Sequence, residues 1–460
     1  MVSPGSGRKA WTAHVATWEA FTDGRKYGWG SKQSLSNRGP AIFATDLQLS
    51  ESEKCYSPTK RGKRMTNRTL IAIVGGGIGG LAAAASLLRA GFNVQVFEQA
   101  KALSEIGAGI NIGPNASRVL HRLGIAEELG KAGVKPVTFD QRRWDNGRVL
   151  LRSQLGEAVE TAFKAPYYTL HRGDLHRALT SAFPAERIHL EHRFTDLRDR
   201  GDHVEAQFEN GASISVDALI GADGIHSAVR HSLFGAEKPR FTGCVAHRGL
   251  VPSNRLTHLG LEPRIQIWMG PGRHFTHYFV SAGRQVNFVA ISEEDTWLRE
   301  SWVDRGEVSD VLNAFAGWHD QVLSIIDAAD ETYKWALFDR APLPRWSVGR
   351  VTLLGDSCHP MLPFMGQGAA QAIEDAATLK GCLLKFPSDV PAALRHYEHL
   401  RIPRASRLQR MSEANKTRFH LADGQSQRER DAQMARGTTD WSLAAIAWLY
   451  EHDAEVVDGS

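Results

Sequence analysis

Gly75, Gly77 and Gly80 stand in the order G-x-G-x-x-G, with Gly79 beside the last. That spacing does its chemistry through the backbone. The first glycine allows a tight turn, the second lets a phosphate approach the chain, and the third lets a helix pack closely on a strand. A helix opening there offers free N–H groups and a partial positive charge to a pyrophosphate. Glu98 follows, and its carboxylate can accept both hydroxyls of an adenosine ribose. The bland alternative is a tight turn beside a solvated glutamate. Two further acids sit against glycines: Asp223-Gly224 in DALIGADGIHSAVR, and Gly355-Asp356 in VTLLGDSCHPMLPFMGQG. A carboxylate at a strand end accepts hydrogen bonds from hydroxyl groups. Met365-Gly366-Gln367-Gly368 opens a helical pattern, so its N–H groups can face a group on which negative charge develops. Pro360 and Pro363 stiffen the loop before it, and His359 reads as serving that loop rather than a reaction.

The elements around these residues fit the fingerprint. TLIAIV is a short continuous apolar run, as a strand buried on both faces requires. LAAAASLLRAG reads as a helix stopped by Gly91, and FNVQVFE as the next strand, which completes a βαβ unit. The glycine-rich segment 105–115 reads as a loop leading to a helix, NASRVLHRLG. Asp145-Asn146-Gly147 and Glu209-Asn210-Gly211 each signal a hairpin. DALIG and RVTLLGD read as buried strands, and GQGAAQAIEDAATLKGCLL as a helix. Residues 238–338 hold several alternating segments, then helices, and form a region distinct from the nucleotide fold. No internal repeat is evident.

The chain has 460 residues, 42% hydrophobic and 23% charged, with a net charge of +4. This is ordinary for a globular protein and gives no nucleic-acid footprint. Of the four cysteines, Cys55, Cys244, Cys358 and Cys382, none forms a C-x-x-C pair. The spacing fits neither a metal site nor a disulfide framework, and points to a reducing cytoplasm. No apolar run is long enough to span a membrane, and LAAIAWLY (443–450) reads as a packed C-terminal helix. Residues 1–64 are polar and end in KRGKR; they read as a disordered extension or a mis-assigned start, with Met65 opening the fold.

With its three ordered motifs the chain resembles the class A flavoprotein monooxygenases, the single-component aromatic hydroxylases. The nearest pattern is that of salicylate hydroxylase and 3-hydroxybenzoate 6-hydroxylase, over roughly residues 69 to 450. The resemblance implies noncovalent FAD, NADH or NADPH as co-substrate, and oxygen transfer to a phenolic acid through a flavin C4a-hydroperoxide. It implies that Asp356 holds the ribityl chain, that Asp223 and Gly224 organise both FAD and the nicotinamide, and that Arg172 contacts FAD. Gly109 belongs to the flavin loop, and Arg118 can face the pyrophosphate. Asn111 stands where some relatives present a catalytic histidine. An epoxidase or oxidase of the same fold, or a non-enzymatic escort protein, is the alternative. A partial Baeyer–Villiger signature at Phe241, Gly243 and His247 fails at Val251, and no W-x-W-x-I-P segment of a halogenase occurs.

The expected fold is α/β: a Rossmann-type FAD-binding domain (65–136, 165–237 and 339–385), an inserted strand-rich α+β substrate domain (137–164 and 238–338), and a helical C-terminus (386–460). The expected partners are a small aromatic substrate and O2, with no nucleic acid, no metal and no membrane span, in a monomer or homodimer. His247 is the candidate base, because an imidazole can take a phenolic proton near neutral pH. Period-2 alternation puts Val245 and His247 on one face, which is expected to look at the substrate with Asn111, Tyr278 and Pro363.

Overall fold

The structure, a computed structural model, describes residues 69–103, 108–294, 305–437 and 443–458, all within the unit Pro58–Ser460. The reading of residues 1–64 and of Met65 lies outside the described residues, as does Cys55.

Leu70–Val74 is the centre of a six-stranded sheet. It pairs in parallel with Asn93–Phe97 on one side and Ala218–Gly221 on the other. Ala218–Gly221 pairs in turn, again in parallel, with Val351–Leu353. Thus the three motif-bearing turns all leave the same edge of one sheet. Ile71, Ala72 and Ile73 are fully buried, which is why the run carries no polar alternation. The helices Ile78–Arg89 and Gly368–Lys385 pack together over this sheet, close enough that a Cβ on Gly79 would lie 3.1 Å from Ala372 Cβ. A three-stranded antiparallel sheet, Phe194–Asp199, Val204–Phe208 and Ser213–Val216, adds to the same core, with Phe208 stacked on Phe97 at 4.8 Å.

Both signalled hairpins form. Thr138–Arg143 pairs with Val149–Gln154, and Val204–Phe208 with Ser213–Val216. Gly147 and Gly211 take positive φ in the turns. One reading changes: within the glycine-rich segment, Gly109–Ile112 is a strand paired antiparallel with Tyr168–His171. Gly-Ile-Asn-Ile is too short for its alternation to stand out from the surrounding glycines, and the partner strand is remote in sequence.

The second sheet has eight strands, in the order Arg305–Gly306, Thr332–Asp339, Arg240–Pro252, Gln285–Glu293, Arg273–Val280, Ile265–Gly270, Thr138–Arg143 and Val149–Gln154. Its two faces are both covered. Phe275, Phe288 and Ala290 meet Val311, Phe315, Val322 and Ile325 of two short helices. Cys244, Ala246, Ile267, Met269 and Ile291 meet Leu362, Phe364 and Phe419 on the other face. That second face looks at the proline-rich loop, and it decides which side chains reach the site. The 30-residue helix Val390–Phe419 and the helix Leu443–Tyr450 close the C-terminal side, with Ile446, Leu449 and Tyr450 buried.

Candidate active site

The glycines of the fingerprint meet the physical demands of their positions. Gly75 has φ +110°, and a Cβ there would fall 2.3 Å from the Ala222 carbonyl oxygen. A Cβ on Gly80 would fall 2.0 Å from the Gly75 carbonyl oxygen. Gly77 is different: it precedes the helix Ile78–Arg89 and has nothing within 4 Å of its Cβ position. Crowding at the first and third glycines and open space at the second is the arrangement a pyrophosphate needs. Glu98 ends the neighbouring strand and accepts from Gly76 N at 2.6 Å and Ala100 N at 2.8 Å.

Asp356 follows the Val351–Leu353 strand, and its carboxylate stands open in a cavity without a hydrogen bond from the described residues. Surrounding protein raises its pKa, against the lowering charges of His359 and Arg172. The same cavity is lined by Gly109, Asn111, Arg172, Tyr278, Pro363 and Gly366–Gly368. Gly366 turns with φ +60°, and Gly368 has open space where a Cβ would be. The N-terminal N–H groups of the helix Gly368–Lys385 therefore face the cavity edge.

A buried polar network holds this helix and the Gly355-Asp356 turn together. Arg401 donates to Glu374 at 2.5 Å, to Asp375 at 2.7 Å and to Gln371 Oε1 at 2.7 Å. Asp375 also accepts from Gly355 N at 3.0 Å and bonds His359 Nε2 at 2.6 Å. Glu374 takes two further bonds from Arg404 and one from Asn115, which also donates to Gln367 Oε1. Burial alone would raise the Glu374 pKa, but Arg401 and Arg404 hold it well below the usual carboxylate range. His359 thus supports the loop, as its place beside Pro360 suggests.

Two expectations need correction. Val245 and His247 do share a face, but it is the one turned away from the cavity. His247 pairs with Ala290 and Lys334, and Ala290 belongs to the cluster behind the sheet. Burial pushes the His247 pKa down to about 4, with Lys334 adding to it and Asp310 opposing. Neither residue can meet a substrate beside the proline loop. Arg118 spends its guanidinium on the carbonyl oxygens of Phe163, Tyr450 and His452, so it ties down the C-terminal segment rather than facing a phosphate. Asp223 accepts from Ser227 Oγ at 2.5 Å and from Ala228 and Val229 N, which fixes the start of the helix Ala228–Phe234, while Gly224 beside it turns with φ +78°.

The residue of that strand that does reach the cavity is Arg248. It is half-buried, lies 4.2 Å over the Trp335 ring, and has its Nε without a hydrogen bond among the described residues. Burial pushes its pKa down to about 10, with Arg172 adding to the effect, so it stays charged at neutral pH. On the next-but-one strand, His274, Thr276 and Tyr278 face the same way. His274 and Thr276 also line a second, more apolar cavity with Phe139, Leu155, Ile267 and Ile446. The two cavities share Asn111, Pro363 and Gly366. Arg248 and His274 were legible only as members of alternating strands; once Tyr278 is placed in the pocket, parity brings His274 with it.

The comparisons agree with this geometry. The family model described as FAD binding domain matches residues 68–412. The chain belongs to this family of FAD-binding proteins. It is 43% identical to 3-amino-4-hydroxybenzoate 2-monooxygenase PtmB3 of Streptomyces platensis over 391 residues, which covers 85% of this chain and 98% of that one. It is 42% identical to the 6-hydroxynicotinate 3-monooxygenase of Bordetella bronchiseptica, over 76% of this chain and 92% of that one. Among solved structures, Klebsiella pneumoniae HpxO complexed with FAD and uric acid superposes with a TM-score of 0.75 at 27% identity, over 85% of this chain and 97% of that one.

Proposed function

We propose that this chain hydroxylates an aromatic ring carrying both a phenolic hydroxyl and a carboxylate, of the aminohydroxybenzoate or hydroxynicotinate kind. The chain is an FAD-dependent monooxygenase of aromatic substrates that uses NADH or NADPH. One observation carries the finer reading: a cavity bearing Arg172, Asp356 and a helix N-terminus opens onto an apolar cavity at Asn111, His274, Thr276, Pro363 and Gly366. The first has the donors and acceptors a flavin needs; the second has ring-sized apolar walls with hydroxyls from Ser153, Tyr167 and Tyr450. Such a pairing is what oxygen transfer to a bound ring requires.

The residues fit FAD by their own geometry. The N–H groups around Gly77 would hold the pyrophosphate, Glu98 the ribose and Asp356 the ribityl hydroxyls. Arg172, Arg248 and the N-terminus of the Gly368–Lys385 helix would face the pyrimidine end. When bound, FAD supplies electron transfer from the nicotinamide and the activation of O2. The chain's part is binding, orientation and proton handling. Arg248 and the helix N-terminus favour negative charge at the ring edge. His274 replaces His247 as the group placed to take the substrate's phenolic proton.

The division into an FAD-binding domain (65–136, 165–237, 339–385), a substrate domain (137–164, 238–338) and a C-terminal helical region (386–460) remains our reading of the architecture. Among the described residues no helix is long and apolar enough to cross a membrane. Cys244, Cys358 and Cys382 are free and buried, which supports a reducing cytoplasm. The test is oxidation of NADH and of NADPH by the flavin-loaded protein with 3-amino-4-hydroxybenzoate, 6-hydroxynicotinate, 3-hydroxybenzoate and salicylate. The expected result is stimulation by at least one acid with product heavier by one oxygen. Nicotinamide oxidation that yields only hydrogen peroxide with every acid would overturn it.

A further inference from the structure

His274 does not stand alone behind the cavity. Its Nδ1 lies 2.7 Å from His420 Nε2, and His420 Nδ1 lies 2.9 Å from Glu293 Oε1. His420 follows the last residue of the helix Val390–Phe419, where its carbonyl accepts from Gly272 N. Phe364 and Phe419 pack edge-on against the His274 ring at 4.9 and 5.3 Å. The His420 side chain is 1% exposed and that of Glu293 is 45% exposed, so the row runs from the cavity to solvent.

We propose that Glu293 and His420 form a proton relay that fixes the tautomer of His274 and carries the substrate's phenolic proton from the cavity to water. The proposal rests on the hydroxylase reading given above. The tautomers follow from donor arithmetic. An ionised carboxylate only accepts, so His420 must carry its proton on Nδ1. A neutral His420 then has a lone pair on Nε2 and must accept from His274 Nδ1–H. A neutral His274 is therefore bare at Nε2, which has no hydrogen-bond partner among the described residues. Burial lowers the pKa of both histidines, which keeps both neutral near pH 7. The other charges bearing on His420 are Lys416 and Arg273, both of which disfavour its protonation, and the Cys244 thiol lies near Lys416 and Glu293.

In the transfer, the substrate O–H bond breaks and an N–H bond forms at His274 Nε2. The His274 Nδ1 proton moves to His420 Nε2, and the His420 Nδ1 proton moves to Glu293, which releases it to water. No electron changes hands; the reverse shift, with a proton taken from water at Glu293 and one delivered from His274 Nε2 to the product's phenolate oxygen, restores the tautomers. His420 and Glu293 act through His274, so they are positioning residues.

The holoenzyme labelled with 15N-histidine tests the geometry without substrate. Long-range proton–nitrogen spectra, assigned with His274→Asn and His420→Asn, should show both rings neutral with the proton on Nδ1. A His274 protonated on Nε2 overturns the relay. Bound 3-amino-4-hydroxybenzoate tests the transfer through its phenolate absorbance. In Glu293→Gln the bound phenol should ionise about one pH unit higher than in wild type, a tenfold loss of phenolate below the transition, which corresponds to about 1.4 kcal/mol. The rate of flavin reduction by the nicotinamide should not change. Equal phenol ionisation in wild type and Glu293→Gln overturns the relay while the hydroxylase reading stands. A wild type that binds none of the hydroxybenzoates sinks that reading, and the relay's function with it, whatever the tautomers.

Discussion

Arg401→Met removes the cation at the centre of the network beneath the Gly355-Asp356 turn. The lost bonds are those to Glu374, Asp375 and Gln371. Glu374 keeps Arg404, Asn115 and the Gln371 side-chain N–H; among the described residues Asp375 keeps His359 and the Gly355 N–H. The arithmetic of charge leaves two buried carboxylates facing one arginine. Removing one partner of a buried ion pair costs about 3–5 kcal/mol. Methionine fills most of the volume, so little of this is cavity formation. The assay is urea denaturation of the FAD-loaded protein followed by tryptophan fluorescence, at pH 8 and at pH 5. The pH dependence has a definite sign. In wild type the Glu374 pKa is depressed, so its contribution is present above the unfolded value, about 4.3, and is lost only as pH falls through the folded value. In the variant, burial is no longer offset by Arg401 and lifts the pKa of at least one of the two carboxylates above its unfolded value. The destabilisation should be largest at pH 8 and shrink at pH 5, where a proton can replace the missing charge. Asp375→Asn combined with Arg401→Met should recover part of the loss. A change of under about 1 kcal/mol, independent of pH, would refute the argument that these charges compensate one another.

Other outcomes follow from the site. Asp356→Ala should weaken FAD binding by about 10- to 100-fold, since a hydrogen bond to a charged group contributes about 1.5–3 kcal/mol; flavin fluorescence titration reads this, and wild-type affinity would remove Asp356 from the cofactor site. Gly80→Val places side-chain atoms against the Gly75 carbonyl and should give colourless or insoluble protein; a yellow, fully loaded variant would show that the loop has room to give. His274→Asn should slow hydroxylation by about 10²–10⁴-fold, as loss of a general base does, while leaving flavin reduction near wild type. His247→Gln, on the far face of the same sheet, should leave both rates within about twofold, and a large loss of coupling there would reverse the assignment of the two faces.

The cofactor half of the protein was legible because its signals are local. A glycine whose Cβ would fall 2.0 Å from a carbonyl oxygen is constrained by neighbours a few residues off, and a strand buried on both faces writes its burial into a continuous apolar run. The substrate half obeys a different kind of constraint. Alternation along VAHRGL correctly groups Val245 with His247 and Ala246 with Arg248, but it carries no sign. Which group faces the flavin is set by what packs on each side: the helices of 308–327 on one face, and Leu362, Phe364 and Phe419 on the other. Those partners lie dozens of residues away. A buried charge can supply the missing sign, because a guanidinium is tolerated inside a sheet only where an aromatic ring, a ligand or solvent receives it. Arg248 on Trp335 beside Asp356 meets that condition, whereas a neutral histidine such as His247 can be buried on either face at far smaller cost. The charged residue of an alternating pair is therefore the better guide to the side on which such a sheet does its chemistry, and in this strand it points to Arg248.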